Sequence, residues 1–340
     1  MVYDIFPFFN ELDILKMRLH ILDPIVDRFI IEEATHTFSG MEKELCFEKN
    51  RAMFAEYLPK IDYIIVDDSP PELEPHQRDI YQKNHLIRGL QDIKEGDIII
   101  FSDVDEIPNP LVLEKIVADF DPEKVYHLAQ RMFHGYLNRE EISGKIFSIT
   151  GEFPHILAHD KNIGLNPGLS HTPKLKWLGS KVFSARNIPE AGIVHIREFD
   201  PANPASIRVD DGGWHFSYMG GCSEADVSKR VIEKIKAAAH QEYNHQDTLA
   251  EVGAKTVLGK DFLGSEAQFA RVEVDESFPQ YLREHRDEYA HLIMKPVAKH
   301  QAIFTKAAML IRRFFRKLIR RIIRFFKTGK IRRDREITSK

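Results

Sequence analysis

The chain has 340 residues, 43% hydrophobic and 29% charged, with a formal net charge of −4. That balance describes an ordinary globular protein holding one large α/β domain or two smaller ones. Cys46 and Cys222 are its only cysteines, which excludes a disulfide framework and a cysteine-based zinc site. The opening MVYDIFPFFNELD has no basic n-region and no long apolar stretch, so neither a signal peptide nor an anchor is expected there and the expected location is cytoplasmic.

Residues 3–9 read as a first strand, closed by Asn10 and followed by a helix near 11–22. Residues 26–32 form a second strand that runs into Glu33, Thr35 and His36. A helix near 49–57 leads to a third strand, 61–66, ending in Asp67 and Asp68. A Pro-rich loop, 69–75, precedes a helix over 76–93, and residues 98–102 make the fourth strand. Strands alternating with helices predict a βαβ series and a mostly parallel sheet. From 125 to 214 the pattern changes: short strands at 125–128, 145–149 and 192–196 are separated by Gly, Pro and His-rich loops. This predicts a mixed-sheet half that carries a second substrate. A helix over 224–242 follows.

The fourth strand carries the chemistry. An Ile-rich run ends in Asp103 and Asp105, then Glu106, and Pro108 and Pro110 stop it. Open α/β sheets place ligands at the carboxyl ends of their strands. Alternate strand residues share a face, so both aspartates can meet one cation, or one can meet a cation and the other a ribose. Hard cations such as Mn²⁺ and Mg²⁺ are shared between carboxylates and substrate phosphates. This is the D-x-D arrangement of nucleotide-sugar transferases. Glu106 is equally expected to cap the turn before Pro108.

Charge divides the chain. Residues 299–340 hold 15 Lys/Arg against Asp334 and Glu336, leaving 33 bases and 50 acids in the first 298. Paired apolar residues recur every three to four positions in that basic segment, with Arg and Lys between them. On a helix this gives one apolar and one cationic face. Residues 303–327 are therefore expected to lie in the plane of an anionic membrane surface, at its inner face, with no nucleic acid as partner; a helix packed on the domain or an oligomer seam is the alternative.

Five phrases in order carry a resemblance: YDIFPFFNELDILKMRLHIL, FIIEEATHTFSG, Gln77-Arg78-Asp79, DVDEIP, and GWHFS at 213–217. Over roughly residues 3–245 the chain resembles glycosyltransferase family 17, the family of the bisecting β-1,4-N-acetylglucosaminyltransferase and its bacterial relatives. The resemblance implies a GT-A type α/β fold, a Rossmann-like mostly parallel sheet with a mixed acceptor half; the basic amphipathic helix that follows is a departure from the family. The chain is thus expected to divide into 1–298, with a nucleotide-sugar and metal half at 1–120 and an acceptor half at 121–298, and the basic segment 299–340. It also implies an inverting, metal-dependent transfer with UDP-GlcNAc as the default donor and a glycan or lipid-linked glycan as acceptor. The animal members' N-terminal anchor is missing here, which points to a bacterial enzyme of surface-polysaccharide assembly.

Roles follow. Asp105, then Asp103, would hold the metal, with His215 completing the shell; Asp103 would alternatively contact the ribose. Glu33 and Arg78 would meet the base, ribose or diphosphate, unless Glu33 is a loop residue and Arg78 pairs with Asp79 or Glu74. Trp214, flanked by glycine, would offer an aromatic face to a sugar. The general base of an inverting transfer is usually a carboxylate; Glu224 is the first candidate, Asp211 the second and Glu242 the third. A non-catalytic nucleotide- or glycan-binding protein is the alternative. A nucleotidyltransferase would need a Gly-rich basic loop after the first strand, and Pro7-Phe8-Phe9-Asn10 is not one.

Overall fold

A computed structural model describes residues 1–144, 177–200 and 202–328. The chain divides into two units, Met1–Lys295 and Pro296–Lys340. The first is built on β1 (Val2–Pro7), β2 (Arg28–Ala34), β3 (Ile61–Val66) and β4 (Ile98–Phe101), all parallel, in the spatial order β3-β2-β1-β4. Helices α1 (Leu12–Leu22), α2 (Cys46–Asn50) and α3 (Pro75–Asn84) connect them. Alternate strand residues feed opposite layers. Phe6, Ile31 and Ile100 join one apolar cluster with α1, while Ile5, Ile30 and Ile99 join another beneath Leu86. Burial on both faces explains the nearly continuous apolar runs of these strands. The chain moves outward from β1 to β3, then returns to the other side of β1 as β4. That reversal opens a crevice at the carboxyl ends of β1 and β4.

The sheet continues without a break. Strand β5 (Glu106–Pro108) and helix α4 (Pro110–Ala118) lead to β6 (Val125–His134) and β7 (Arg139–Glu141). Strand β8 (Trp177–Ser184) runs antiparallel between β4 and β6. Strand β9 (Ser206–Ser217) pairs parallel with β6 and antiparallel with β5. Helices α5 (Glu224–Ala237) and α6 (Gln246–Val257), strand β10 (Phe269–Arg271) and helix α7 (Gln280–Glu284) complete the unit. The result is a mixed α/β fold around one mixed sheet.

Several boundaries differ from the sequence pattern. The helix expected over 76–93 stops at Asn84 and tightens into a 3₁₀ segment, His85–Gly89. There Gly89 lies so close to Ile30 that a Cβ would sit 2.6 Å from its methyl. Residues 192–196 are not a strand. Ile193–Arg197 is a 3₁₀ turn whose Ile193 and Ile196, three apart, are both buried. Helix α5 ends at Ala237 rather than 242. The strand expected at 145–149 lies outside the described residues. The second unit contains α8 (Lys299–Thr328), thirty residues long. No helix among the described residues is long and apolar enough to cross a membrane.

Candidate active site

A cleft of about 540 Å³ opens at the carboxyl ends of β1, β2 and β4, with walls from α3, β9 and α5. That volume suits a small-molecule ligand. Arg18, wholly buried on α1, lies behind the D-x-D turn. Its guanidinium pairs with Asp4 at 2.6 Å and donates to Ser102 Oγ at 2.7 Å. It also donates to the carbonyls of Asp103 and Glu106 at 3.0 and 2.9 Å. One side chain thus fixes the backbone of the D-x-D turn.

Glu106 locks the same turn from the other side. Its carboxylate accepts the Asp103 amide at 2.8 Å, Arg197 at 2.7 Å, and the indole N–H of Trp177. It is therefore a buried anchor tied to the turn, and Arg197 links it to Asp103 Oδ2 at 3.4 Å.

The two aspartates point to different partners. Lys83 bridges Asp79 and Asp103 at 3.0 and 3.1 Å; Asp79, Gln82 and Lys83 share one face of α3. Asp105 Oδ2 accepts from Lys234 of α5 at 2.6 Å, and Oδ1 lies 3.4 Å from His215 Nε2. Burial pushes both aspartates up, but their basic neighbours outweigh it. Lys83 and Arg197 hold Asp103 down to about 2, and Lys234 and His215 hold Asp105 well below the usual carboxylate range. Burial works against the charge of Lys83 and of Lys234, yet the carboxylates beside them raise both. Three fixed cations thus surround the aspartates of one cleft, an arrangement suited to a polyanion such as a diphosphate.

Asp105 and His215 fit a divalent cation. Octahedral ligands at ~2.1 Å stand about 3 Å apart along an edge, close to the Oδ1–Nε2 separation, and Mg²⁺-type ions take their remaining ligands from water and phosphate. Asp103 does not complete a three-ligand cluster with them. Among the described residues, only His76, His240 and Glu242 bring three such ligand atoms within 4.8 Å of one another.

The other residues singled out in the sequence are placed as follows. Glu33 faces away from the cleft. It accepts from Lys43, Tyr63 and the amides of Cys46 and Phe47, capping α2. Its neighbour Glu32 lines the cleft, with Oε1 buried and without a hydrogen-bond partner among the described residues. Burial pushes the Glu32 carboxyl up to about 8. Arg78 pairs with neither Asp79 nor Glu74; it donates to the carbonyls of Phe38 and Pro71 and holds two loops together. Trp214 packs in the core, its indole bonded to Ser277 O, because it alternates with His215 along β9. Gly213 makes its close approach to Ile107 O rather than to a sugar: a Cβ there would sit 2.1 Å from that oxygen. Trp177 is the tryptophan that lines the cleft, 5.2 Å from the His215 ring.

Of the base candidates, Glu224 begins α5 ten residues before Lys234, which places it ~15 Å further along the axis. Asp211 is exposed on β9, at φ 53°, its carbonyl bonded to Asn109. Glu242 bonds at 2.7 Å to His240, which lines the cleft. Arg197, Lys83, Lys234 and Arg18 escape the sequence reading. Only Lys83 leaves a local signal, four residues after Asp79 on the helix that carries the QRD tripeptide.

Residues 1–138 match the model of Glycosyltransferase family 17. Over 134 residues, 36% of this chain, the sequence is 29% identical to the Beta-1,4-mannosyl-glycoprotein 4-beta-N-acetylglucosaminyltransferases of Homo sapiens and Rattus norvegicus. It is 28% identical to that of Mus musculus. The match spans 25% of the length of these relatives. The family-model match includes Arg18, Glu32, Lys83 and the D-x-D turn and stops short of Arg197, His215 and Lys234, a shorter reach than the expected 3–245. These matches support a glycosyltransferase.

Proposed function

We propose that the chain is an inverting glycosyltransferase with a GT-A type fold, using a nucleotide-sugar donor. The observation that carries this reading is the D-x-D turn, fixed by Arg18 and Glu106 at a strand-end cleft and surrounded by Lys83, Arg197 and Lys234. The donor in this reading is UDP-GlcNAc, by analogy with the N-acetylglucosaminyl transfer in the relatives' names. The acceptor is a glycan or lipid-linked glycan of a bacterial surface polysaccharide.

In such a transfer an acceptor hydroxyl attacks the anomeric carbon as the nucleoside diphosphate leaves. Lys83, Arg197 and Lys234 offset the charge that develops on the departing phosphate. Asp105 and His215 would hold Mn²⁺ or Mg²⁺, which when bound supplies Lewis-acid stabilisation of the same charge. Asp103, its carboxylate kept ionised, serves the ribose. His240, oriented by Glu242, takes the proton from the acceptor hydroxyl. Glu224 and Asp211, outside the cleft lining, are given no part in this scheme.

Thermal stabilisation by UDP-, GDP- and CMP-sugars, each with Mn²⁺ and with EDTA, tests the reading. A selective rise in melting temperature with UDP-GlcNAc and Mn²⁺, accompanied by slow UDP release, is expected. No stabilisation by any nucleotide sugar would overturn it.

A further inference from the structure

Helix α8 is a long surface the proposed chemistry leaves unused. It carries ten Lys/Arg and no acid over its thirty residues. At about 100° per residue and ~1.5 Å rise, it forms a rod roughly 45 Å long on which sequence position fixes the face. Phe304, Ile311, Phe314, Leu318 and Ile322 fall within a single narrow arc, and the remaining Ile, Leu and Phe positions widen it to about half the circumference. Eight of the ten basic positions fall on the opposite arc; Arg312 and Arg321 sit at the two apolar edges.

The Ile, Leu and Phe side chains described on this face are exposed. Phe304 is 72% exposed, Phe314 64% and Ile319 52%. A core-facing helix needs an apolar stripe of ~100°, with mixed charge behind it. A half-circumference apolar face backed by unrelieved positive charge is a different design. Such a helix cannot span a bilayer, since no window of it is apolar all round. It fits the boundary between acyl chains and headgroups, where the apolar half is buried and the bases meet lipid phosphates. A second copy docked through the apolar face would leave the bases of both helices without counter-charge, so the charge pattern selects an anionic partner. A nucleic acid would leave the Phe and Ile face without a role.

We infer that α8 is an in-plane membrane helix that docks on an anionic lipid surface. The binding is independent of which sugar the first unit transfers.

The test is flotation of the full chain with vesicles of phosphatidylcholine alone or with about 30% phosphatidylglycerol, a charge density that attracts polybasic segments. The chain is expected to float with the anionic vesicles. Recovery should be at least 10-fold lower on the neutral ones, and should fall at about 0.5 M salt, where the Debye length shrinks to a few ångströms. Phe314→Glu with Leu318→Glu should abolish flotation. Arg313→Glu with Arg320→Glu should remove the preference for anionic lipid, and both variants should keep the wild-type melting temperature. Equal flotation on the two vesicles, or none, would overturn the inference. So would a lipid-free dimer in sedimentation that Phe314→Glu with Leu318→Glu converts to monomer without any flotation, which would make α8 an assembly helix.

Discussion

Glu32 is a buried carboxyl in a cleft that already holds several acids. Its proton should be visible in the stability of the protein. Burial raises it from an ordinary value near 4.5 to about 8, so between those values the folded chain keeps a proton that the unfolded chain releases. Stability from this group is fully present below about 4.5 and is lost as pH rises through about 8. Glu32→Gln should remove that slope and raise the melting temperature at pH 8, while changing little at pH 4.5. Scanning calorimetry of both proteins across this range checks it; parallel curves would show that Glu32 ionises normally. The neighbouring Glu33 shows why the sequence could not choose between them. Strand β2 is buried on both faces, so no polar alternation marks which glutamate of the pair looks into the cleft. Trp214 and Trp177 pose the same problem, settled by register on β9 and β8 and by nothing local.

Among the elements, α1 and the β4–β5 turn act as one piece through Arg18. Its loss would strand Asp4 in the core and leave the Asp103 and Glu106 carbonyls without their donor. Removing one partner of a buried pair costs about 3–5 kcal/mol. Arg18→Leu should therefore lower unfolding free energy by that amount in urea, and a loss below ~1 kcal/mol would contradict the role. The strands that hold the turn were legible: β3 falls at 61–66 as its apolar run predicts, and β4 ends where the acids begin. Lys234 was not. On α5 it reads as one more base of a solvated face, and only the docking of that helix by Val227, Val231 and Ile235 turns it to Asp105. Arg197 comes from a 3₁₀ turn that the pattern takes for a strand, so its arrival at Glu106 had no periodic signal.

At the scale of the molecule, a family-matched segment supplies the D-x-D turn, and β9, α5 and the 193–197 turn bring three further side chains to it. In the proposed function, Asp105 therefore acts with groups outside the matched segment. Turnover of UDP-GlcNAc by the wild type and by Asp105→Asn, followed as UDP release with Mn²⁺ present, tests this most directly. The substitution keeps the volume of the side chain and removes its charge, so the fold should survive, as judged by an unchanged circular dichroism spectrum. Turnover should fall by roughly 10²-fold or more, the scale of losing one preorganised electrostatic group. Wild-type turnover in Asp105→Asn would contradict the account and remove the D-x-D turn from the chemistry.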